Sequence, residues 1–197
     1  MTSCRTETWL NALRLTFESL HRDGSPVAML GYCLGGTLAL AAARELNPRA
    51  VVCLSAPIKP LCETFFPPTR GERDDLLSTR PFITDCQSEA ARKWRLAGCH
   101  RTVTSQFLKS FQETIDTARD QLGEVRCPLA LVYGEKSQAV TVEHAEYIAS
   151  RAPHPGNTVM RVAQSGHAVP IDKGRREVAR GIEAFLSQIE ESEKAVF

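Results

Sequence analysis

Val27-Ala28-Met29-Leu30-Gly31-Tyr32-Cys33-Leu34-Gly35-Gly36 is the stretch that decides the fold of this chain. An apolar, β-prone run leads into a Gly-x-Cys-x-Gly turn, and a helix rich in small residues follows from Thr37 to Asn47. This strand–turn–helix context is typical of a nucleophile elbow, here with a thiol in place of the usual hydroxyl. We expect Gly31 and Gly35 to keep Cβ atoms away from the point where strand and helix nearly collide.

Cys33 is the candidate nucleophile of this elbow. The turn would place it at the carboxyl edge of a sheet, with the N-terminus of the following helix behind it. The positive end of the helix dipole lowers the pKa of a thiol and favours the thiolate. The alternative interpretation is an ordinary buried core cysteine, since such cysteines are common. The strand before the turn, the helix after it and the additional Gly36 favour the elbow.

Composition bounds the class of protein. The 197 residues, 43% hydrophobic and 24% charged, fit one globular domain. A net charge of +1 provides no field that would hold nucleic acid or an anionic membrane, so we expect neither partner. No apolar run is long enough to span a bilayer, and residues 1–8 contain no signal-peptide pattern. Seven cysteines without framework spacing or a C-x-x-C pair indicate thiols in a reducing, cytoplasmic environment.

Hydrophobic periodicity predicts strands that alternate with helices. The predicted strands cover 27–30, 50–54, 128–133 and 158–162, and the predicted helices cover 6–22, 37–45, 142–151 and 173–190. Alternation of this kind predicts the α/β class with a doubly wound parallel sheet, here of about four strands with helices on both faces.

Residues 58–125 interrupt this rhythm. The segment opens with several prolines and continues with charged helical stretches around 87–97 and 104–122. At the carboxyl edge of a sheet, an insertion of this size is typical of a cap over a site, although a helical decoration without a gating role is the alternative. Three aromatic residues of the segment are candidates either for an acyl pocket or for ordinary core, namely Trp94, Phe107 and Phe111.

His167 is the candidate general base. It lies in Gln164–Val169, directly after the last predicted strand and immediately after Gly166. A nucleophile elbow needs its base in the chain order nucleophile, acid, histidine, and His167 fits that order. We expect surface or structural roles for the other four histidines, His21, His100, His144 and His154.

With these motifs combined, the chain resembles a bacterial carboxylesterase or monoacylglycerol-lipase-like member of the α/β-hydrolase family. The resemblance extends over nearly the whole chain and depends on five parts, namely the elbow 31–36, the strand exit 55–57, the helix 111–122, the strand and loop 127–140, and the 165–167 loop with the closing helix. The elbow alone also resembles the cysteine box of dienelactone hydrolases and polyhydroxyalkanoate synthases. The short cap and the Ser-Gly-His loop are more similar to the esterases.

The resemblance implies a set of roles. Cys33 would be the nucleophile, His167 the general base and then the acid, and the backbone N–H of Leu34 one oxyanion donor. The implied reaction is hydrolysis of a small carboxylic ester through an acyl-enzyme intermediate, here a thioester. No metal or organic cofactor is implied, and the partner would be a small-molecule ester.

The expected acid is absent from its position. The family has an Asp-like acid in the turn after the strand at 129–133, and here Ser137 occupies that position. Glu135, two residues earlier, is a candidate substitute. A neutral orienting group is the favoured alternative, because cysteine nucleophiles can function with a neutral Asn in this role.

The region before the elbow is also unlike the family. Several strands and a loop with a second oxyanion N–H normally precede the elbow strand, whereas residues 1–26 offer one helix and no strand. We therefore expect residues 1–197 to form a single α/β-hydrolase-like domain that is incomplete at its N-terminus. The strand Val27–Leu30 would be an apolar edge through which the chain could form a homo-oligomer.

Two other functions stay open at this point. One is a degenerate, non-catalytic hydrolase fold that binds a ligand or partner. The other is an acyltransferase or synthase in which the elbow cysteine carries the acyl group.

Overall fold

A computed structural model describes residues 5–60, 76–78, 85–98 and 102–194. The helices are α1 (Thr6–Leu20), α2 (Leu34–Leu46), α3 (Glu89–Gly98), α4 (Ser105–Gln121), α5 (Val142–Arg151) and α6 (Arg175–Lys194). The strands are β1 (Ala28–Tyr32), β2 (Ala50–Leu54), β3 (Leu76–Ser78), β4 (Thr102–Thr104), β5 (Leu129–Gly134) and β6 (Thr158–Val162).

The main sheet is parallel, with four strands in the order β1-β2-β5-β6. Its central strands β2 and β5 are apolar along their whole length and buried at every residue, because helices cover both of their faces. Leu54 lies opposite Tyr32 on one side and opposite Val132 on the other, so the carboxyl ends of the strands meet at one edge. This arrangement confirms the predicted fold class.

Two hydrophobic clusters lie on opposite faces of the sheet. On one face, α1, α2, α4 and α5 contribute buried residues that include Phe17, Leu40 and Ile148. On the other face, the apolar stripe of α6, with Val178 and Phe185, packs against β2, β5 and β6. The helices therefore bury the sheet from both sides and leave its carboxyl edge for the loops.

β1 lies at one end of the sheet. In the described part of the chain it pairs with β2 alone. Ala28 and Leu30 are exposed, and Leu30 retains 58% of its accessible surface. These observations agree with the expected apolar edge at Val27–Leu30.

The segment between β2 and β5 contains the helices α3 and α4 and the short strands β3 and β4. α4 packs against α1 and α2, and its Ile115 and Ala118 are fully buried, so this helix belongs to the layer that covers the sheet. The helices expected around 87–97 and 104–122 correspond to α3 and α4. The antiparallel pair β3–β4 was not predicted, because three-residue strands are too short to show periodicity. Residues 61–75 and 79–84 of the predicted cap lie outside the described residues.

Among the helices that the structure describes, none is long and apolar enough to cross a membrane.

Candidate active site

Cys33 occupies a strained turn between β1 and α2. Its φ of 52° and ψ of −123° place a non-glycine residue at positive φ. The N–H of Cys33 donates to the carbonyl of Leu54 at 2.9 Å, and its carbonyl accepts the N–H of Gly36 at 3.0 Å. Such backbone strain costs about 1–3 kcal/mol and occurs mainly at functional sites, where the surrounding structure enforces it. The elbow predicted from the sequence therefore has the expected backbone geometry.

Two glycines make this turn sterically possible. A Cβ on Gly31 would lie 2.3 Å from the carbonyl carbon of Gly35, and a Cβ on Gly36 would lie 2.7 Å from the Cβ of Ala56. A Cβ on Gly35 would meet nothing within 4 Å. The expectation that Gly35 shields the turn is therefore wrong. In α2, Gly36 is buried against the strands whereas Gly35 is exposed, so the steric requirement falls on Gly36.

The thiol of Cys33 differs from the other described thiols. Cys33 is partly exposed, whereas Cys53, Cys86 and Cys127 are buried. Burial raises the pKa of Cys127 to about 11, and it raises the pKa of Cys53 further. Cys33 precedes α2, a helix of 13 residues with no acidic residue in its first turn, so the helix dipole there favours an anion. Cys33 is therefore the described cysteine best placed to react.

His167 reaches the elbow from the opposite end of the sheet. Two strands separate β1 from β6, a distance of about 14 Å. The loop after β6 crosses the end of β5, where the carbonyl of Ser165 accepts the N–H of Lys136 at 3.0 Å. The ring of His167 then lies 5.3 Å, centroid to centroid, from the ring of Tyr32, the residue that precedes Cys33. The structure thus places the predicted base against the residue that precedes the predicted nucleophile, and His167 is only 2% exposed.

Of the two residues proposed to orient His167, Ser137 bonds within its own turn and Glu135 is exposed. The hydroxyl of Ser137 is buried and accepts the N–H of Val140 at 3.3 Å. The side chain of Glu135 is exposed, and it makes no hydrogen bond or ion pair with the described residues. Glu135 lies directly after β5 and is exposed to solvent. The geometry therefore gives no support to it as a substitute acid.

Two buried carboxylates beside the histidine loop were missed by the sequence analysis. Asp172 accepts the backbone N–H groups of Gly166, Gln87 and Lys173, each at 2.9 Å. Asp85 accepts the N–H of His167 at 3.2 Å. Asp172 lies close to His167 in the chain and could have been noticed on that ground. No sequence motif points to Asp85, because its position depends on the fold.

The other histidines have structural contacts where they are described. His144 is buried, and its Nδ1 accepts the N–H of Ile58 at 2.9 Å. Burial lowers the pKa of His144 to about 4, so the ring is neutral at physiological pH. The Nδ1 atoms of His21 and His154 contact backbone groups of their own turns. His100 lies outside the described residues.

The aromatic candidates for an acyl pocket pack between helices. The ring of Phe107 lies edge-on to Trp9 at 5.7 Å and to Phe111 at 6.0 Å, and Phe111 is buried. These contacts join α4 to α1, which favours the ordinary core interpretation for both phenylalanines. The side chain of Trp94 lies outside the described residues.

Comparison with known proteins agrees with this fold. The model described as the alpha/beta hydrolase family matches residues 5–180, so the chain belongs to that family. A comparison with curated protein sequences gives no significant match.

Several solved structures share the fold. One, of the metagenome-derived lipolytic enzymes LipS and LipT, superposes with a TM-score of 0.75 at 16% identity, over 95% of this chain and 74% of that chain. The Paleococcus ferrophilus monoacylglycerol lipase gives a TM-score of 0.76 at 18% identity, over 93% and 76%. Est1E from Butyrivibrio proteoclasticus gives 0.66 at 16% identity, over 95% and 71%. At these identities the likeness establishes the fold.

Proposed function

We propose that this protein hydrolyses small carboxylic esters, with Cys33 as nucleophile and His167 as general base. The observation that carries the proposal is the strained elbow, which holds a partly exposed thiol at a helix N-terminus, while the buried His167 packs against the neighbouring Tyr32. Family membership supports it, as do structural neighbours that are themselves described as lipolytic enzymes, a monoacylglycerol lipase and an esterase.

Acylation begins with proton transfer from the Cys33 thiol to His167, which gives a thiolate and an imidazolium. The thiolate attacks the ester carbonyl carbon, and the carbonyl oxygen becomes an oxyanion. In this proposal the N–H of Leu34, the first residue of α2, stabilises that oxyanion. As the C–O bond to the leaving group breaks, the imidazolium returns its proton to the departing alkoxide. The products of this half-reaction are an alcohol and a thioester on Cys33.

Deacylation uses the same groups in the reverse order. His167 removes a proton from water as the water oxygen attacks the thioester carbonyl. The tetrahedral intermediate collapses, the C–S bond breaks, and a carboxylic acid leaves. The thiolate then regains its proton from the imidazolium or remains paired with it.

Hydrolysis of p-nitrophenyl acetate and butyrate tests the proposal. We expect the wild-type protein to exceed the buffer rate and Cys33→Ala to lose at least about 100-fold of kcat/KM. Cys127→Ala is the matched control, because this buried thiol should have no part in the reaction. An unchanged rate for a folded Cys33→Ala variant would refute the assignment.

The same assay separates the other two functions. Added glycerol or a small thiol acts as an acyl acceptor. Transfer to such an acceptor that outpaces hydrolysis would favour an acyltransferase. Tight binding of an ester by a folded protein that never becomes acylated would favour a ligand-binding role.

We also propose that the β1 edge allows two copies of the chain to associate, because Leu30 presents an apolar side chain there. Sedimentation velocity over a range of concentrations should show self-association that Leu30→Glu abolishes. Leu20→Glu is the control, since Leu20 is equally exposed at 60% but lies on α1. A wild-type chain that stays monomeric at every concentration would contradict the proposal.

A further inference from the structure

We propose that Asp85 is the positioning residue for His167, and that its carboxylate stabilises the imidazolium formed during catalysis. The inference rests on the proposed function of Cys33 and His167. It assigns the orienting role to the segment between β2 and α3 instead of the turn after β5, where Ser137 carries no charge.

The contact between Asp85 and the histidine loop is close and buried. Oδ2 of Asp85 accepts the N–H of His167 at 3.2 Å, and each residue is only 2% exposed. A Cβ on Gly166 would lie 2.0 Å from the carbonyl oxygen of Asp85 and 3.0 Å from its carboxyl carbon. Only a glycine at position 166 allows this approach. The chain around Asp85 is therefore pressed directly against the residue that precedes the candidate base.

Neighbouring hydrogen bonds fix the segment that carries Asp85. The N–H of Gln87 donates to Asp172 at 2.9 Å, and the same carboxylate accepts the N–H of Gly166. The side-chain amide of Gln87 also donates to the carbonyl of Asp85 at 2.8 Å. Asp172 thus joins the two segments at a second point, which holds the carboxylate of Asp85 in register with His167.

The separation is short enough for the charge to matter. Covalent geometry places the imidazole of His167 within about 8 Å of the carboxylate oxygen bound to its own N–H. At an effective dielectric constant near 20, a unit negative charge at that largest distance favours the imidazolium by roughly thirty-fold. Because both groups are buried, dissolved salt screens this interaction weakly.

Within the part of the chain that the structure describes, the other titratable groups near His167 come from three elements. Tyr32 and Cys33 belong to the elbow, and Asp172 belongs to the loop of His167 itself. Glu135 and Lys136, whose backbone contacts the loop, are exposed, so solvent screens their charges. Asp85 and Asp172 are therefore the buried anions whose effects the test must separate.

The test compares Asp85→Asn with Asp172→Asn. Both substitutions remove the charge. Asparagine retains the acceptor for the single N–H at position 85, whereas at position 172 it keeps one accepting oxygen and replaces the other with a donor. We expect the NMR titration midpoint of the His167 ring to fall by about 1.5 units in Asp85→Asn, and by less than half as much in Asp172→Asn. Alkylation of Cys33 by iodoacetamide below pH 7, followed by peptide mass spectrometry, should slow several-fold in Asp85→Asn alone. With p-nitrophenyl butyrate, kcat should fall about tenfold at nearly constant KM.

A purely structural contact gives a different result. If Asp85 only braced the loop, Asp85→Asn would lower the midpoint of urea unfolding but leave the His167 titration unchanged, and that result would overturn the inference. Equal shifts in the two variants would overturn it as well. Asp85→Ser removes the charge with a smaller side chain, and it decides the question if the asparagine variant does not fold.

The experiments distinguish a failure of the role of Asp85 from a failure of the proposed function. A wild-type protein that never forms an acyl adduct on Cys33 would remove the proposed function, while the His167 titration would still decide the role of Asp85. A wild-type protein that is acylated, together with an Asp85→Asn variant of unchanged kcat and titration, would remove this inference alone.

Discussion

The elbow and the histidine loop are held in place by different kinds of interaction. At the elbow, a methyl group added on Gly31 would overlap with backbone atoms of Gly35 and Gly36, and one added on Gly36 would overlap with Gly31 and Ala56. At the histidine loop, two buried carboxylates accept backbone N–H groups from segments far apart in the chain. The elbow is thus a steric device and the histidine loop is a polar one.

Because of this difference, a substitution in the elbow need not disturb the histidine loop, and the reverse also holds. We call the elbow the steric half of the site and the histidine loop the polar half. The strain at Cys33 depends mostly on glycines within a few positions of it, with support from Leu54 and Ala56 at the end of the neighbouring strand. The orientation of His167 depends on charge, and a carboxylate can be supplied from any segment that reaches the same place. A serine at position 137 is therefore compatible with a functional site if Asp85 supplies the charge.

Gly31→Ala tests the steric half and should have the largest effect. The new Cβ would lie 2.3 Å from backbone atoms of Gly35 that cannot move without distorting α2. We expect a loss of about 4 kcal/mol or more in the free energy of unfolding, measured by urea denaturation. Gly35→Ala is the matched control and should change stability by less than about 1 kcal/mol, since its Cβ meets open space. Equal effects of the two substitutions would refute the steric account.

Asp172→Ala tests the polar half. The substitution leaves the N–H groups of Gly166, Gln87 and Lys173 without their acceptor. We expect a loss of about 3 kcal/mol in the free energy of unfolding. Glu135→Ala, in the adjacent turn, removes an exposed carboxylate and should have almost no effect. If Asp172→Ala were as stable as Glu135→Ala, the loop would not be held by its carboxylate.

Lowering the pH should destabilise the contact between His144 and Ile58, which follows β2, but it should leave the packing at the elbow unchanged. The pKa of His144 is about 4 in the folded protein, below its ordinary value of 6.5, because the ring is buried. The unfolded chain therefore binds a proton first as the pH falls. Neutral His144 contributes fully to the free energy of unfolding above about pH 6.5, and this contribution is lost as the pH falls toward 4. The loss between pH 7 and pH 5 is about 2 kcal/mol.

Urea unfolding at several pH values measures this slope. His144→Gln retains an acceptor for the N–H of Ile58 but cannot titrate, so it should flatten the curve over the same range. A His144→Gln curve as steep as that of the wild type would show that another group is responsible.

Ser137→Asp should have the smallest effect in the wild-type background. If Asp85 already supplies the charge, a second carboxylate should change kcat/KM by less than about threefold. In the Asp85→Asn background, the same substitution should recover about tenfold, and Ser137→Asn should recover nothing because it carries no charge. An Asp substitution that acts equally in both backgrounds would show that the two positions are not coupled.

The sequence predicted the fold and the elbow because their determinants are local. The strands at 50–54 and 158–162 agree with β2 and β6 residue for residue. Hydrophobic periodicity and the glycine-rich turn are properties of short windows, and a single sequence contains them in full. The assignment of Gly35 was wrong because a glycine pattern does not show which glycine of a helix faces the sheet.

The polar half could not be predicted in the same way. Asp85 and His167 are separated by 82 positions in the sequence, and no motif links them. The carboxylate comes from a segment whose path is set by the packing of α3 and by Asp172. Burial of these groups is a property of the folded chain, so periodicity and spacing carry no information about it.

The most direct test of the account is the mass of the acylated protein. The folded wild-type chain is mixed with p-nitrophenyl butyrate and quenched in acid, and the intact protein and its peptides are then weighed. We expect one butyryl group, sensitive to hydroxylamine, on the peptide that contains Cys33, and none in Cys33→Ala. A folded protein that releases p-nitrophenol without ever carrying an acyl group on Cys33, or that carries it on another residue, would contradict the account.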